Sequence, residues 1–110
     1  MLPSIIAFFF MERIMRENSY QAGLIKRIEA RFRGSVCIKN DANLRQGIPD
    51  LTVLWGRTWF VLETKAFKGA PSRPNQGWYI DKFNEMCFAA VIYPENEEDI
   101  FREIERTLQP

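Results

Sequence analysis

Two apolar, β-prone runs joined by a two-residue turn constrain the fold of this chain more than any other feature. Residues 50–55 (DLTVLW) and 58–64 (TWFVLET) flank Gly56-Arg57, and a connection of this length is typical of a β-hairpin. Pro49 cannot occupy a central ladder, so it marks the start of the first arm. The second arm is almost continuously apolar, which indicates a strand covered on both faces.

The segments around this hairpin alternate between helix and strand patterns. Apolar side chains four residues apart predict a helix over residues 17–33, followed by a short strand at 35–39. Pro74 precedes a second predicted helix at 75–86, a buried strand at 87–93 and a final helix at 95–108. Loops are expected at 40–48 and 66–73. The predicted fold is α/β, in the order α-β-β-β-α-β-α, with a mixed central sheet of about four strands flanked by helices.

Composition excludes several kinds of active site. The chain has no histidine, so it cannot form a Ser-His-Asp triad or a His-bearing zinc site. Its two cysteines are too few for a four-thiolate zinc site or a disulfide-rich scaffold. Cys37 and Cys87 lie in apolar stretches and are expected to be buried free thiols in a reducing cytosol. The available chemistry rests on carboxylates, lysine, amides, the backbone and a hard metal ion.

The net charge of +1 conceals an uneven distribution. Residues 12–82 hold thirteen basic and seven acidic side chains, whereas residues 83–110 hold two basic and seven acidic ones. A basic body suggests a polyanionic partner, and nucleic acid is the commonest one. A solvated mixed surface explains the same charges equally well.

The first eleven residues, MLPSIIAFFFM, are apolar and uncharged. They are too few to span a bilayer, which needs about 20 residues, and they lack the basic start of a signal peptide. We therefore treat residues 1–15 as an apolar N-terminal extension and residues 16–110 as the domain. Three interpretations of the extension stay open: a packing segment, a dimer contact, or sequence upstream of a natural start at Met11 or Met15.

Two carboxylates and a lysine meet at the open end of the predicted hairpin. Asp50 begins one arm and Glu63 lies near the end of the other, so antiparallel pairing places them almost opposite each other. Adjacent strands lie about 4.8 Å apart, and carboxylates at this distance repel each other unless a cation separates them. Mg²⁺ fits, because it takes one or two protein carboxylates and keeps several waters. Lys65 shares a face with Glu63, where its ammonium can assist water or neutralise a phosphate.

Pro49-Asp50 followed by Glu63-Thr64-Lys65 resembles the PD-(D/E)xK nuclease signature. The wider context resembles the virus-type replication-repair nuclease (VRR-NUC) domain of that superfamily, in its small stand-alone, phage-type form. The matching residues are Glu17, the segments GIPD (47–50) and FVLETKA (60–66), and Gln76, and the resemblance covers residues 16–94.

The resemblance implies a restriction-endonuclease-like core and Mg²⁺-dependent hydrolysis of DNA phosphodiester bonds, with Mn²⁺ as a possible substitute and no organic cofactor. Its implied metal-binding residues are Glu17, Asp50, Glu63 and the carbonyl of Thr64. Its implied catalytic residues are Asp50, Glu63, Lys65 and Gln76. Related nucleases sometimes place the helix acid at the position of Gln21, which shares a helix face with Glu17, so either residue could reach the site.

Resemblance to Holliday-junction resolvases implies a homodimer that cuts branched or four-way DNA in the cytoplasm of a phage-infected or prophage-bearing cell. Nicking or flap cleavage, and a non-catalytic DNA-binding module that retains the fold, are the alternatives. No membrane association is expected. Positive side chains in or beside the two loops flanking the site are candidates for gripping the DNA backbone; they are Lys39, Arg45, Lys68 and Arg73.

Overall fold

Seven helices and strands follow one another in the predicted order in the computed structural model, which describes residues 4–109. The elements are α1 (Ile5–Arg31), β1 (Val36–Lys39), β2 (Leu51–Trp55), β3 (Thr58–Thr64), α2 (Gln76–Met86), β4 (Ala89–Ile92) and α3 (Glu97–Thr107). The α/β class is thereby confirmed. The hairpin arms match the predicted strands almost residue for residue, whereas β4 is shorter at both ends than the predicted strand at 87–93.

The four strands form one mixed sheet in the order β1-β2-β3-β4. β1, β2 and β3 pair antiparallel, and β4 runs parallel to β3 after the crossover through α2. Trp55 pairs with Thr58 across the predicted two-residue turn, where Gly56 has a φ of 61° that suits glycine. This register continues to Leu51 and Leu62 and sets which residues meet at the open end of the hairpin.

Helices cover the two faces of the sheet unequally. α1 and α3 pack on one face, where Phe32 lies edge-on to Phe60 and Phe101 at ring-centroid distances of 5.4 and 5.3 Å. α2 lies on the other face and covers β3 and β4, where Trp59 contacts Phe83. The core between α1, α3 and the sheet comprises Leu24, Ile28, Phe32, Leu51, Val53, Phe60, Leu62, Ile92, Phe101 and Ile104.

α1 begins well before the predicted start at residue 17. Ser4 caps it by accepting a hydrogen bond from the backbone N–H of Ala7 at 3.1 Å. Residues 5–15 of the expected extension therefore form the first half of α1, and residues 1–3 lie outside the described residues. This half was missed because its apolar side chains surround the helix and give no one-sided periodicity. None of the helices within residues 4–109 is long and apolar enough to cross a membrane.

Ion pairs between α1 and α3 account for part of the uneven charge distribution. Glu97 accepts hydrogen bonds from the Tyr20 hydroxyl and from Arg27, each at 2.8 Å. Arg31 pairs with Glu98 and Glu105 at 3.0 and 2.8 Å. Several acids of the C-terminal segment therefore neutralise arginines of the basic body, and those arginines are not free to bind a polyanion.

Candidate functional site

The β2–β3 register brings the predicted carboxylates together. Leu51 pairs with Leu62, so one further step along the antiparallel ladder sets Asp50 opposite Glu63. Asp50 is partly exposed at the start of β2, whereas Glu63 is only 2% exposed within β3. The negative charge of Asp50 raises the pKa of Glu63, which indicates that the two carboxyl groups are close neighbours.

Glu63 is held in an unusual environment for a carboxyl group. Its Oε2 accepts a hydrogen bond from the Gln76 side-chain amide and lies 3.4 Å from the Lys65 ammonium. Its Oε1 is buried and has no hydrogen-bond partner among the described residues. A buried oxygen without a partner is costly, so it is an available ligand for a cation.

Burial is the main reason that the pKa of Glu63 is raised, to about 8. The charge of Asp50 raises this pKa further. The neighbouring Lys65 ammonium lowers it, but by less than burial and Asp50 together raise it. Burial therefore favours the protonated form of Glu63 in the cation-free site. A cation bound between the carboxyl groups would replace that proton.

Lys65 and Gln76 close the site from the side of α2. The Lys65 ammonium donates hydrogen bonds to the Gln76 side-chain carbonyl and to the backbone carbonyl of Pro71, both at 2.9 Å. The same Gln76 oxygen accepts from the backbone N–H of Arg73 at 2.9 Å. Because Lys65 and Gln76 are 4% and 5% exposed, the loop that carries Pro71 and Arg73 covers both side chains.

Thr64 follows Glu63 on β3, and its hydrogen bonds involve its hydroxyl and backbone N–H rather than the carbonyl named as an implied metal ligand. Its hydroxyl and its backbone N–H both donate to Oδ2 of Asp50, at 2.7 and 2.8 Å. The hydroxyl oxygen in turn accepts a hydrogen bond from the Gln21 side chain at 2.9 Å. Side chains alternate between the two faces of a strand, which directs Thr64 away from the Glu63 side of β3. Asp50 lies just before β2 and need not follow this alternation, so the strand pattern did not predict its contact with Thr64.

Glu17 lies one helical turn before Gln21 and is partly buried. Burial and the charge of Asp50 raise its pKa, whereas Lys65, Arg73 and Arg13 lower it. These influences place Glu17 beside the site. Even so, within residues 4–109 no three or more Asp, Glu, Cys or His side chains are grouped closely enough to hold a metal ion.

The donor set that remains fits a hard cation with few protein ligands. Glu63 offers its unpartnered Oε1, and the two hydrogen bonds that Thr64 donates to the Asp50 carboxylate both end on Oδ2. The Oδ1 of Asp50 accepts neither of them and is the candidate second oxygen ligand. Two carboxylate oxygens with several waters suit Mg²⁺.

All four predicted DNA-binding side chains are exposed: Lys39, Arg45, Lys68 and Arg73. The loops that carry them meet at Gly47, whose φ is 87°. A Cβ atom at Gly47 would lie 2.4 Å from the backbone oxygen of Pro74, so only glycine permits this approach. The contact joins the loop before β2 to the loop after β3.

Two further arginines of α1 extend this basic region and were not identified from the sequence. Arg13 stacks on Phe10 with 5.2 Å between guanidinium and ring centroid, and Arg16 stacks on Phe67 at 5.5 Å. Both arginines line a cleft with Ile6, Phe9 and Phe67. The sequence feature that could have identified Arg13 is its spacing, because Arg13, Glu17 and Gln21 lie four residues apart on one helix face.

The cysteines take no part in this site. Cys37 and Cys87 are free thiols, and each is partly rather than fully buried. Burial raises the pKa of the Cys37 thiol to about 11, so it stays protonated and unreactive at neutral pH.

Comparisons of the chain with protein-family models, curated proteins and solved structures give no significant match.

Proposed function

We propose that this protein is a Mg²⁺-dependent endonuclease of the PD-(D/E)xK superfamily that hydrolyses phosphodiester bonds in DNA. The observation that carries the proposal is the buried Glu63, which lies opposite Asp50, has an unpartnered Oε1 and holds its Oε2 3.4 Å from the buried ammonium of Lys65. A carboxyl group and a lysine buried together beside a second carboxylate destabilise the fold unless they serve a ligand or a reaction.

Asp50 and Glu63 would hold the Mg²⁺, with Glu17 binding through water and the Thr64 carbonyl as the proposed further ligand. When bound, the cation polarises the phosphoryl oxygen and lowers the pKa of an attacking water. Lys65 then orients that water or neutralises the charge that develops on the phosphate. Gln76 supports this role, because its side-chain carbonyl fixes the lysine ammonium at 2.9 Å.

We further propose a VRR-NUC-like member with a restriction-endonuclease-like core that selects branched or four-way DNA, as expected of a phage enzyme. Support for backbone binding without sequence reading comes from the exposed basic side chains around the site. They are Arg16, Lys39, Arg45, Lys68 and Arg73, together with the partly buried Arg13.

A homodimer is part of the proposal. Seven large apolar side chains of α1 are each more than half exposed: Ile5, Ile6, Phe8, Phe9, Phe10, Met11 and Met15. Each leaves on the order of 100 Å² in water, so together they exceed the roughly 300–600 Å² of the largest apolar patch on a typical monomer. A second copy of the chain would cover it.

The test is a cleavage panel of single-stranded, duplex, flap and four-way-junction DNA with and without Mg²⁺. We expect Mg²⁺-dependent cutting by the wild-type protein, and a loss of at least about 100-fold in Asp50→Ala and Lys65→Ala. DNA binding by both variants should stay within a few-fold of wild type, because neither removes the exposed basic side chains.

Lys82→Ala is the matched control, since Lys82 is an exposed lysine on α2 that pairs with Glu85. It should cut like the wild-type protein. Undiminished cutting by purified Lys65→Ala would contradict the assigned mechanism, and the absence of any Mg²⁺-dependent cutting by the wild-type protein would contradict the function.

A non-catalytic DNA-binding module is the second candidate. It is favoured by one observation, namely that the described residues contain no group of three or more Asp, Glu, Cys or His side chains that could hold a metal ion. A module of this kind would bind DNA equally well with and without Mg²⁺, and Asp50→Ala would bind DNA more tightly because it removes a negative charge.

A further inference from the structure

Two buried polar side chains beside the carboxyl pair have no part in the chemistry described above. Gln21 is 7% exposed on α1, and Thr64 is fully buried on β3. Burying an amide and a hydroxyl costs free energy unless both are hydrogen-bonded. Their only side-chain hydrogen bonds among residues 4–109 run between each other and on to Asp50.

The direction of this hydrogen-bond chain is fixed by the groups themselves. A carboxylate only accepts, so the single hydroxyl proton of Thr64 goes to Oδ2 of Asp50 at 2.7 Å. The Thr64 oxygen is then an acceptor, and the Gln21 amide donates to it at 2.9 Å. The chain therefore runs from α1 through β3 to the carboxylate.

A second hydrogen bond reaches the same carboxylate oxygen. The backbone N–H of Thr64 donates to Oδ2 of Asp50 at 2.8 Å. Two donors on one oxygen prevent the carboxylate from rotating, because rotation would break both. Neither donor reaches the other oxygen, Oδ1.

We propose that Gln21 and Thr64 are positioning residues that hold the Asp50 carboxylate so that Oδ1 faces the cation. The inference rests on the proposed function, since it assigns these residues to the cation site of the nuclease. Groups that orient a metal ligand typically change metal affinity by about 10–100-fold when they are removed.

Thr64→Val tests the inference, because valine matches threonine in shape but lacks the hydroxyl donor. We expect Thr64→Val to weaken Mn²⁺ binding by about 10-fold or more, measured by calorimetry or by electron paramagnetic resonance of the free ion. Thr64→Ser restores the donor and should restore Mn²⁺ affinity to within about 3-fold of wild type.

Gln21→Met is the second variant and keeps the length of the side chain while removing its amide. It should weaken Mn²⁺ binding by a smaller factor, because the Thr64 hydroxyl remains. It also decides the question if Thr64→Val does not fold. Thermal unfolding without metal serves as the structural control, and Thr64→Ser should unfold near the wild-type temperature.

Wild-type Mn²⁺ affinity in both Thr64→Val and Gln21→Met would overturn the inference while leaving the nuclease proposal intact. Failure of Thr64→Ser to restore affinity would overturn it too. A wild-type protein with no saturable Mn²⁺ site would contradict the proposed function itself, and the positioning roles with it.

Discussion

Glu63 combines three properties that rarely occur together in one side chain. It is 2% exposed, one of its carboxyl oxygens has no partner among the described residues, and its pKa is raised by burial to about 8. Lys65 at 3.4 Å lowers this pKa but does not cancel the cost of burial. Without a cation, Glu63 in the folded chain therefore keeps its proton up to a higher pH than Glu63 in the unfolded chain does.

This proton makes the metal-free protein less stable as pH rises. In the unfolded chain the pKa of Glu63 is near its ordinary value of 4.5. Its contribution to stability is fully present below that pH and is lost as pH rises through about 8. The free energy of unfolding in EDTA should fall across this window by up to about 1.4 kcal/mol per pH unit.

Glu63→Gln removes the titrating group and should flatten this part of the pH profile, as measured by urea unfolding at several pH values. Glu85→Gln, at an exposed glutamate of α2, is the control and should leave the slope unchanged. Equal slopes for wild type and Glu63→Gln would show that Glu63 ionises normally in the fold.

At the scale of elements, the two loops beside the site act as a pair because Gly47 lets them touch. Both Gly47 and Gly69 have φ near 80–87°, but only at Gly47 would a Cβ atom meet a neighbouring backbone. At either position an alanine would lower the free energy of unfolding by about 1–2 kcal/mol, because a positive φ is unfavourable for a residue with a Cβ atom. The steric overlap is an additional cost at Gly47 alone.

Gly47→Ala should therefore lower the free energy of unfolding by about 1–3 kcal/mol more than Gly69→Ala does. Chemical denaturation of the two variants measures this difference directly. If both alanine variants lost equal stability, the contact between the loop of Gly47 and Pro74 would be absent in solution.

The elements also show what the sequence could and could not predict. The hairpin was predictable because a two-residue connection at Gly56-Arg57 leaves little freedom of register, and that register alone places Asp50 opposite Glu63. The hydrogen bonds of Thr64 to Asp50 were not predictable, since they depend on a residue just outside a strand. The start of α1 was missed because the apolar side chains of residues 5–15 surround the helix and give no one-sided periodicity.

At the scale of the whole molecule, the exposed half of α1 is the largest feature that the fold leaves uncovered. Phe8, Met11 and Met15 form one stripe along it, and all are more than half exposed. The spacing of three and four residues suits a helix packed against a second helix. We therefore expect a dimer of about 26 kDa, twice the 13.0 kDa chain, by light scattering at micromolar concentration.

Met15→Glu should dissociate this dimer, because it places a charge in the stripe. Leu44→Glu is the matched control, since Leu44 is 83% exposed in the loop before β2 and outside the stripe. A monomeric mass for the wild-type protein, or a dimeric mass for Met15→Glu, would contradict pairing through α1.

The central claim concerns a single cation held between two carboxyl groups, and anomalous diffraction from crystals soaked in Mn²⁺ tests it most directly. We predict one strong peak within about 2.5 Å of both Asp50 Oδ1 and Glu63 Oε1, and its loss in Glu63→Gln crystals. A peak elsewhere on the molecule, or none between these two side chains at saturating Mn²⁺, would contradict the account.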